Sequence, residues 1–378
     1  MFAALHSRYY SAFQVTCVLG LFFLLSCCWM GCSTTSGNNN NNATNSNSVN
    51  NNAPGNNNNS TSQDAVALYS KYCALCHGED GKGYKADNAN ALSNPEFLAI
   101  ASDAFLRAGI IQGRPGTSMS AWGKEYGGPL SSEDVDKLVK LIRSWQTKDS
   151  VDVDSMKIDG VAKRGEVLYE FKCAECHGKK GEGGSYMSLN SPVFLNTVSD
   201  GFLWYSIAKG RPGTVMPGFE KTLTPQGIKD IVKLIRSWQK GVTQPKPVPE
   251  RTYKPLIINE GGPEPGFKAE GRFVAADLVK AERDKGAAMI MVDARPPSDY
   301  ITMHIDGAIS VPFYDVSKHK DKFKKDVWIV AYCACPHAES GIVYDFLKKE
   351  GYTKIKVLDE GYNYWRDKKY PLKEGPNP

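Results

Sequence analysis

Two five-residue motifs concentrate the chemistry of this chain: Cys73-Ala74-Leu75-Cys76-His77 and Cys173-Ala174-Glu175-Cys176-His177. Two thiols one helical turn apart, with an imidazole directly after, suit covalent attachment of one haem c per motif. Each thiol adds to a vinyl group, and the histidine ligates the iron from one face. A thioredoxin-like redox pair or half of a zinc site also contains CxxC. Neither explains a histidine and then a glycine (Gly78, Gly178) at the same place in both copies. Cys73, Cys76, Cys173 and Cys176 are therefore the expected attachment points of two haem c groups, with His77 and His177 as proximal iron ligands.

The opposite ligand follows partly by elimination. The six histidines are His6, His77, His177, His304, His319 and His337, so neither motif has a spare one nearby. Between residues 33 and 155 the only methionine is Met119, in the loop Gly113-Arg114-Pro115-Gly116-Thr117-Ser118-Met119. That loop recurs as Gly210-Arg211-Pro212-Gly213-Thr214-Val215-Met216. Met156 and Met187 have no counterpart in the first copy. Buried methionine is commonly core filler, but the repeat marks Met119 and Met216 as axial ligands. His/Met ligation raises the haem potential and fills both axial positions, which suits electron transfer.

These sites sit in a duplicated scaffold. Lys140-Leu141-Ile142-Arg143-Ser144-Trp145-Gln146 returns as Lys233-Leu234-Ile235-Arg236-Ser237-Trp238-Gln239. The spacing of equivalent residues shrinks from 100 (Cys73, Cys173) to 97 (Met119, Met216) to 93 (Trp145, Trp238). Two helical modules, 64–150 and 160–241, are implied. Ser131 with Asp134 forms a capping-box pattern before Val135, Leu138, Val139, Ile142 and Trp145 at helical spacing. Thr224 caps, and Pro225 opens, the equivalent helix. By these motifs residues 64–241 resemble two class I cytochrome c domains in tandem. Ser120 after Met119 departs from the proline usual in that family, which the second copy keeps as Pro217.

Residues 269–378 change character. Ala288–Asp293, Val327–Tyr332 and Lys354–Leu358 are short apolar runs typical of buried parallel strands, alternating with helical stretches near 275–285 and 340–350. Cys333 ends one such strand and precedes a helix starting near Ser340. A strand end facing a helix N-terminus offers backbone N–H groups and a positive dipole, a setting that stabilises a thiolate or an anionic sulfur donor. Val292-Asp293-Ala294-Arg295, Tyr300, His304-Ile305, Gly307-Ala308, Pro312, Tyr332-Cys333, Leu358, Gly361, Trp365 and Pro371 resemble the motifs of the rhodanese-like family. That resemblance implies sulfane-sulfur transfer through a persulfide on Cys333. Met303 and Glu360 replace usual glycines. The loop Cys333-Ala334-Cys335-Pro336-His337-Ala338-Glu339-Ser340 lacks the cation that would bind thiosulfate. Cys335 and His337 are accessory candidates; Asp293, Arg295 and His304 are expected to brace the fold.

The fold class is thus multidomain: two all-α cytochrome c domains and one α/β rhodanese-like domain with a parallel sheet. Residues 1–32, with an uncharged apolar run from Phe13 to Met30, read as a targeting leader. Leu24-Leu25-Ser26-Cys27 resembles a bacterial lipobox with Cys27 lipidated; an uncleaved membrane helix or a plain signal are the alternatives. All three place the rest of the chain outside the cytoplasm, in a periplasm or at a cell surface. Residues 33–63, rich in Asn, Ser, Thr and Gly, read as a disordered tether, and 242–268 as a Pro-rich spacer. A net charge of +5 over 378 residues, with no basic block, gives no footprint for nucleic acid. The expected partners are respiratory redox proteins, a small sulfur-containing substrate and the membrane. The reading is a haem electron-transfer protein linked to sulfur chemistry at Cys333; the alternative is an electron carrier with a catalytically silent docking domain.

Overall fold

The computed structural model describes residues 57–83, 89–115, 117–183, 186–241, 256–334 and 337–378. The leader with Cys27, the Asn-rich stretch to 56, the linker as far as 255, and Cys335 with Pro336 lie outside the described residues. Among the described residues no helix is long and apolar enough to cross a membrane.

The first module contains α1 (Asn57–Tyr72), α2 (Ala74–His77), α3 (Pro95–Ile100), α4 (Asp103–Gln112) and α5 (Ser132–Ser144). The second repeats the order with α6 (Ala162–Lys172), α7 (Ala174–His177), α8 (Pro192–Thr197), α9 (Asp200–Lys209) and α10 (Pro225–Ser237). Helix α1 starts inside the stretch expected to remain a tether, because its Asn and Ser residues continue into the periodic segment that packs on α5. The Ser131–Asp134 capping box forms as expected, and Thr224 Oγ1 accepts from Gly227 N at 3.0 Å. Val135, Leu138, Val139 and Ile142 are buried on α5, and Ile228, Ile231, Val232 and Ile235 on α10.

The repeated Arg-Ser-Trp segments have a structural cause. Trp145 meets Tyr69 edge-on at 5.0 Å, and Trp238 meets Tyr169 at 5.0 Å. Each tryptophan closes over a glycine at positive φ, Gly81 (69°) or Gly181 (70°), where a Cβ would lie 2.5 or 2.6 Å from the indole. The arginines reach back: Arg143 donates to Leu98 O (2.9 Å) and Ala101 O (2.6 Å), and Arg236 donates to Leu195 O and Val198 O. They tie the last helix of each module to the helix pair before it.

The modules also pack on one another. Phe105 lies 6.3 Å from Phe194 and 5.3 Å from Phe202, Tyr205 donates to Glu96 at 2.7 Å, and Asn94 Nδ2 donates to Pro212 O at 2.9 Å.

The C-terminal domain follows as β1 (Phe273–Val274), α11 (Ala276–Asp284), β2 (Met289–Asp293), α12 (Pro297–Thr302), β3 (His304–Ile305), β4 (Ala308–Ser310), β5 (Trp328–Tyr332), α13 (Ala338–Lys349), β6 (Ile355–Leu358), α14 (Gly361–Asp367) and β7 (Leu372–Lys373). Five strands form a parallel sheet in the order β1-β6-β5-β2-β4, and β3 pairs with β7 antiparallel. Every residue of β2, β5 and β6 is buried, which is why these strands read as unbroken apolar runs. The segment from 256 to 268 is packed onto this domain rather than being spacer. Ile258 bridges Met289, Gly266 N donates to Glu282 (3.0 Å), and Phe267 packs on Trp328 at 5.5 Å. Its apolar residues give it surface to bury, which the prolines before it lack.

One polar cluster gives the second module a pH dependence. Asp230 is 3% exposed and accepts from Arg164 Nε (2.7 Å), Val161 N (2.7 Å) and Gln226 Nε2 (3.1 Å). Arg164, ahead of these other donors, draws its carboxyl down to about 2. A depressed carboxyl stabilises the fold above its unfolded value and loses that contribution as pH falls through the folded one. Acidification from about pH 4 to pH 2 is therefore expected to remove about 1–2 kcal/mol, allowing for the exposure of Arg164. The first module has Lys137 at the equivalent place. A denaturant midpoint followed against pH should show this acid loss in the parent and lose it in Asp230→Asn; an unchanged acid slope in the variant contradicts the assignment.

Candidate functional site

Each CxxCH segment folds as one short turn between longer helices. His77 N donates to Cys73 O at 2.9 Å and His177 N to Cys173 O at 2.9 Å, so thiols and imidazole share one turn. Tyr69 and Tyr169 donate to Gly78 O (3.0 Å) and Gly178 O (2.8 Å), fixing the turn against α1 and α6. Burial pushes the Cys73 and Cys173 thiols up to about 12, so both are neutral thiols against an apolar wall.

The histidines are oriented by backbone carbonyls. His77 Nδ1 donates to Asn90 O at 2.8 Å, and His177 Nδ1 donates to Met187 O at 2.9 Å. A donating Nδ1 leaves Nε2 as the lone-pair nitrogen, the arrangement of an oriented metal-ligating histidine. Burial holds both imidazoles below the usual histidine range, in the neutral form that binds metal. Met187, without a repeat partner, thus contributes its carbonyl.

Met119 and Met216 sit in superposable loops. Arg114 N donates to Met119 O (2.7 Å), Thr117 Oγ1 to Arg114 O (2.7 Å), and Met119 N to Thr117 Oγ1 (3.1 Å). In the second loop Arg211 N donates to Met216 O (2.9 Å), Thr214 Oγ1 to Arg211 O (2.8 Å), and Met216 N to Thr214 Oγ1 (3.2 Å). Gly113 and Gly210 enter these loops at φ 63° and 65°, against the backbone leaving them, where a Cβ has no room. Both methionines are half-buried. The donor set of each module is two thiols, one imidazole nitrogen with its lone pair free of the carbonyl bond, and one thioether, and that set fits a covalently held haem.

In the C-terminal domain Cys333 follows β5, the central strand, and is 1% exposed. Its Sγ lies 3.3 Å from Ser340 Oγ in the first turn of α13. Glu339, in the same turn, lies within electrostatic reach of Cys333 and Asp299, and burial raises its carboxyl well above the usual range. His337 adopts φ 66°, packs tilted against the Phe273 ring (4.3 Å, 39°) and pairs with Asp359 at 3.1 Å. Asp293 and Arg295 brace the strand ends: Arg295 Nε and a terminal nitrogen donate to Asp293 at 2.9 and 2.6 Å, and Tyr332 donates to Asp293 at 2.8 Å. His304 Nδ1 lies 2.7 Å from Tyr300 O, a structural bond as expected.

Three features escaped the sequence reading. The carbonyls of Asn90 and Met187 carry no residue-type signal. Glu339 was noted only as a loop residue, although it is the acid nearest in chain to the Cys333 pocket. Ser120, noted as a departure, has a partner: its hydroxyl donates to Asp299 of α12.

Comparison with known proteins divides the chain in the same way. Residues 61–142 and 160–235 match the family model "Cytochrome C oxidase, cbb3-type, subunit III", and residues 275–368 match that of the rhodanese-like domain. The cbb3-type cytochrome c oxidase subunit CcoP of Azospirillum (strain B510) is 26% identical over 187 residues, covering 45% of this chain and 60% of that protein. The subunit FixP of Bradyrhizobium diazoefficiens is 27% identical over 183 residues, covering 45% and 58%. The chain therefore spans about 60% of the length of these curated relatives. The solution structure of a rhodanese-like domain from Anabaena is 25% identical, covering 28% of this chain and 80% of that one, with a TM-score of 0.26.

Proposed function

We propose that this chain, which joins two cytochrome c domains with covalently attached haem c to one rhodanese-like domain, oxidises a small sulfur species on Cys333 and passes the electrons to a respiratory partner. The observation that carries the reading is a cysteine at the end of the central strand, in one compact unit with two haem modules. Haem c, when bound, supplies a one-electron acceptor in each module. Two such acceptors match the electron pair released when hydrosulfide joins a cysteine thiolate: HS⁻ + RS⁻ → RSS⁻ + H⁺ + 2e⁻.

The chain's own residues set the terms. Cys73, Cys76, His77 and Met119 would hold the first haem, and Cys173, Cys176, His177 and Met216 the second. In the reaction an S–S bond forms at Cys333 Sγ, an S–H bond breaks, and the proton leaves to water. A thiol 1% exposed admits a small donor only, and the Cys333 loop offers no guanidinium for an oxyanion. Arg295 is held by Asp293, and His337 by Asp359. The leader would tether the molecule to a membrane outside the cytoplasm. By analogy with the relatives' subunit names, a cytochrome c oxidase is the natural electron sink.

The same burial of Cys333 favours a second reading, an electron carrier whose C-terminal domain is silent. One experiment separates the two. Oxidised full-length holoprotein is mixed with hydrosulfide, with mass read at Cys333 and the visible spectrum followed. The proposal expects one added sulfur and haem reduction, both abolished in Cys333→Ser. No added sulfur, or reduction that persists in Cys333→Ser, supports the silent domain.

A further inference from the structure

The order in which the three domains touch differs from their order in the chain. The loop carrying Met216 meets the first module: Asn94 donates to Pro212 O at 2.9 Å, and Arg211 lies over the Phe97 ring at 5.7 Å. The loop carrying Met119 meets the rhodanese-like domain. Ser120, 5% exposed, donates to Asp299, and Trp122 lies 6.2 Å from Phe313 and 6.4 Å from Tyr314. Tyr72, directly before Cys73, packs against the same rings at 6.5 and 5.8 Å. Tyr314 donates to Gly127 O at 3.3 Å, which closes the junction on the far side.

This junction reaches the sulfur site. Trp122, Phe313 and Cys333 share one buried hydrophobic cluster, against which Tyr72, Tyr314 and Ala338 of the first turn of α13 pack, and Asp299 and Glu339 act electrostatically on Tyr314. Residues next to both first-module haem elements, the CxxCH turn and the methionine loop, thus face the side of the rhodanese-like domain that holds Cys333. At the second site the surroundings face solvent instead. Phe171, two residues before Cys173, is 80% exposed, and Val215, next to Met216, is 62% exposed. The first module has Lys71 and Ser118 at those places.

We propose that the molecule is wired out of chain order: the Cys333 pocket connects to the first haem site through Asp299 and Tyr314, and the first site connects to the second through the Asn94–Pro212 contact. Ser120 positions the Met119 loop on this port, which gives the departure from proline a function. The inference rests on the sulfur chemistry proposed above. Each persulfide formed releases two electrons and one proton. Both electrons would leave past the residues of the first site and one would cross the Asn94–Pro212 contact, haem c when bound supplying a one-electron acceptor at each site.

The test uses the holoprotein with one axial methionine changed to histidine. That change keeps the iron six-coordinate, lowers the potential of that haem and labels its spectrum. Midpoint potentials, measured by spectroelectrochemistry, confirm which site was lowered. After mixing with hydrosulfide, Asn94→Asp, which keeps the α3 cap but removes the donor to Pro212 O, should leave reduction of the first haem at the parent rate and slow that of the second. Met119→His should slow reduction of the second haem at least ten-fold, with Cys333 persulfide still visible by mass. Ser120→Pro should slow both haems together. Unchanged reduction of the second haem in Met119→His, with persulfide present, overturns the wiring and leaves the sulfur chemistry standing. Absence of persulfide in the parent overturns both.

Discussion

A Cys173→Ala/Cys176→Ala double variant is expected to emerge one haem lighter than its parent, with the second module unfolded and the first still red. The proposed attachment points lie in a segment of about 80 residues that holds α6 to α10. A module that small has little core to spare, and the haem is part of it. Its internal contacts include an edge-on Trp238–Tyr169 pair, the α10 face and the Arg236 tie, which close around the haem motif rather than apart from it. The loss should be on the scale of the module's whole stability, about 5 kcal/mol. Intact mass gives the haem count, and proteolysis across 160–241 reports the fold. A double variant that keeps two haems, or a second module that resists protease without one, contradicts the assignment.

The second large effect lies in the C-terminal domain. Asp293→Ala should cost about 3–5 kcal/mol, the range for removing one partner of a buried ion pair. Arg295 is 4% exposed and Asp293 fully buried. Burial alone would push the guanidinium down, but the Asp293 carboxylate outweighs it and holds Arg295 well above its ordinary range. Without Asp293, Arg295 keeps the Met303 carbonyl (2.8 Å), the faces of Tyr362 (4.0 Å) and Tyr332 (5.8 Å) and the field of Asp299, while the Tyr332 hydroxyl loses its acceptor. Thermal melts followed by tryptophan fluorescence should show the rhodanese-like domain melting first, with the haem spectra unmoved. A variant melting within about 1 kcal/mol of the parent, the scale of an ordinary substitution, would show the pair to be of no structural weight.

What could be read from sequence was set by how local each signal is. The CxxCH motifs, the Ser131–Asp134 capping box and the Thr224 cap each lie within five residues, and both caps form as expected. Strands β2, β5 and β6 were visible because burial on both faces makes them continuous apolar runs. Strands β1, β3, β4 and β7, two or three residues long, leave no period to detect. The stretch from 256 to 268 was hidden by its prolines, although Phe267 is buried and Ile258 packs half-buried against the core. Ser120 stood out only as a missing proline. Its partner Asp299 is 179 residues away, and no spacing rule spans that distance. The repeat located both methionine loops, but not that one docks on the rhodanese-like domain and the other on the first module.

Whole-protein mass spectrometry of the purified holoprotein, read beside acid-acetone extraction, tests the central claim most directly. Two haem masses above the processed polypeptide, with colour that stays in the protein pellet, are the predicted result. A chain at bare polypeptide mass, or pigment that partitions into the solvent, would contradict it.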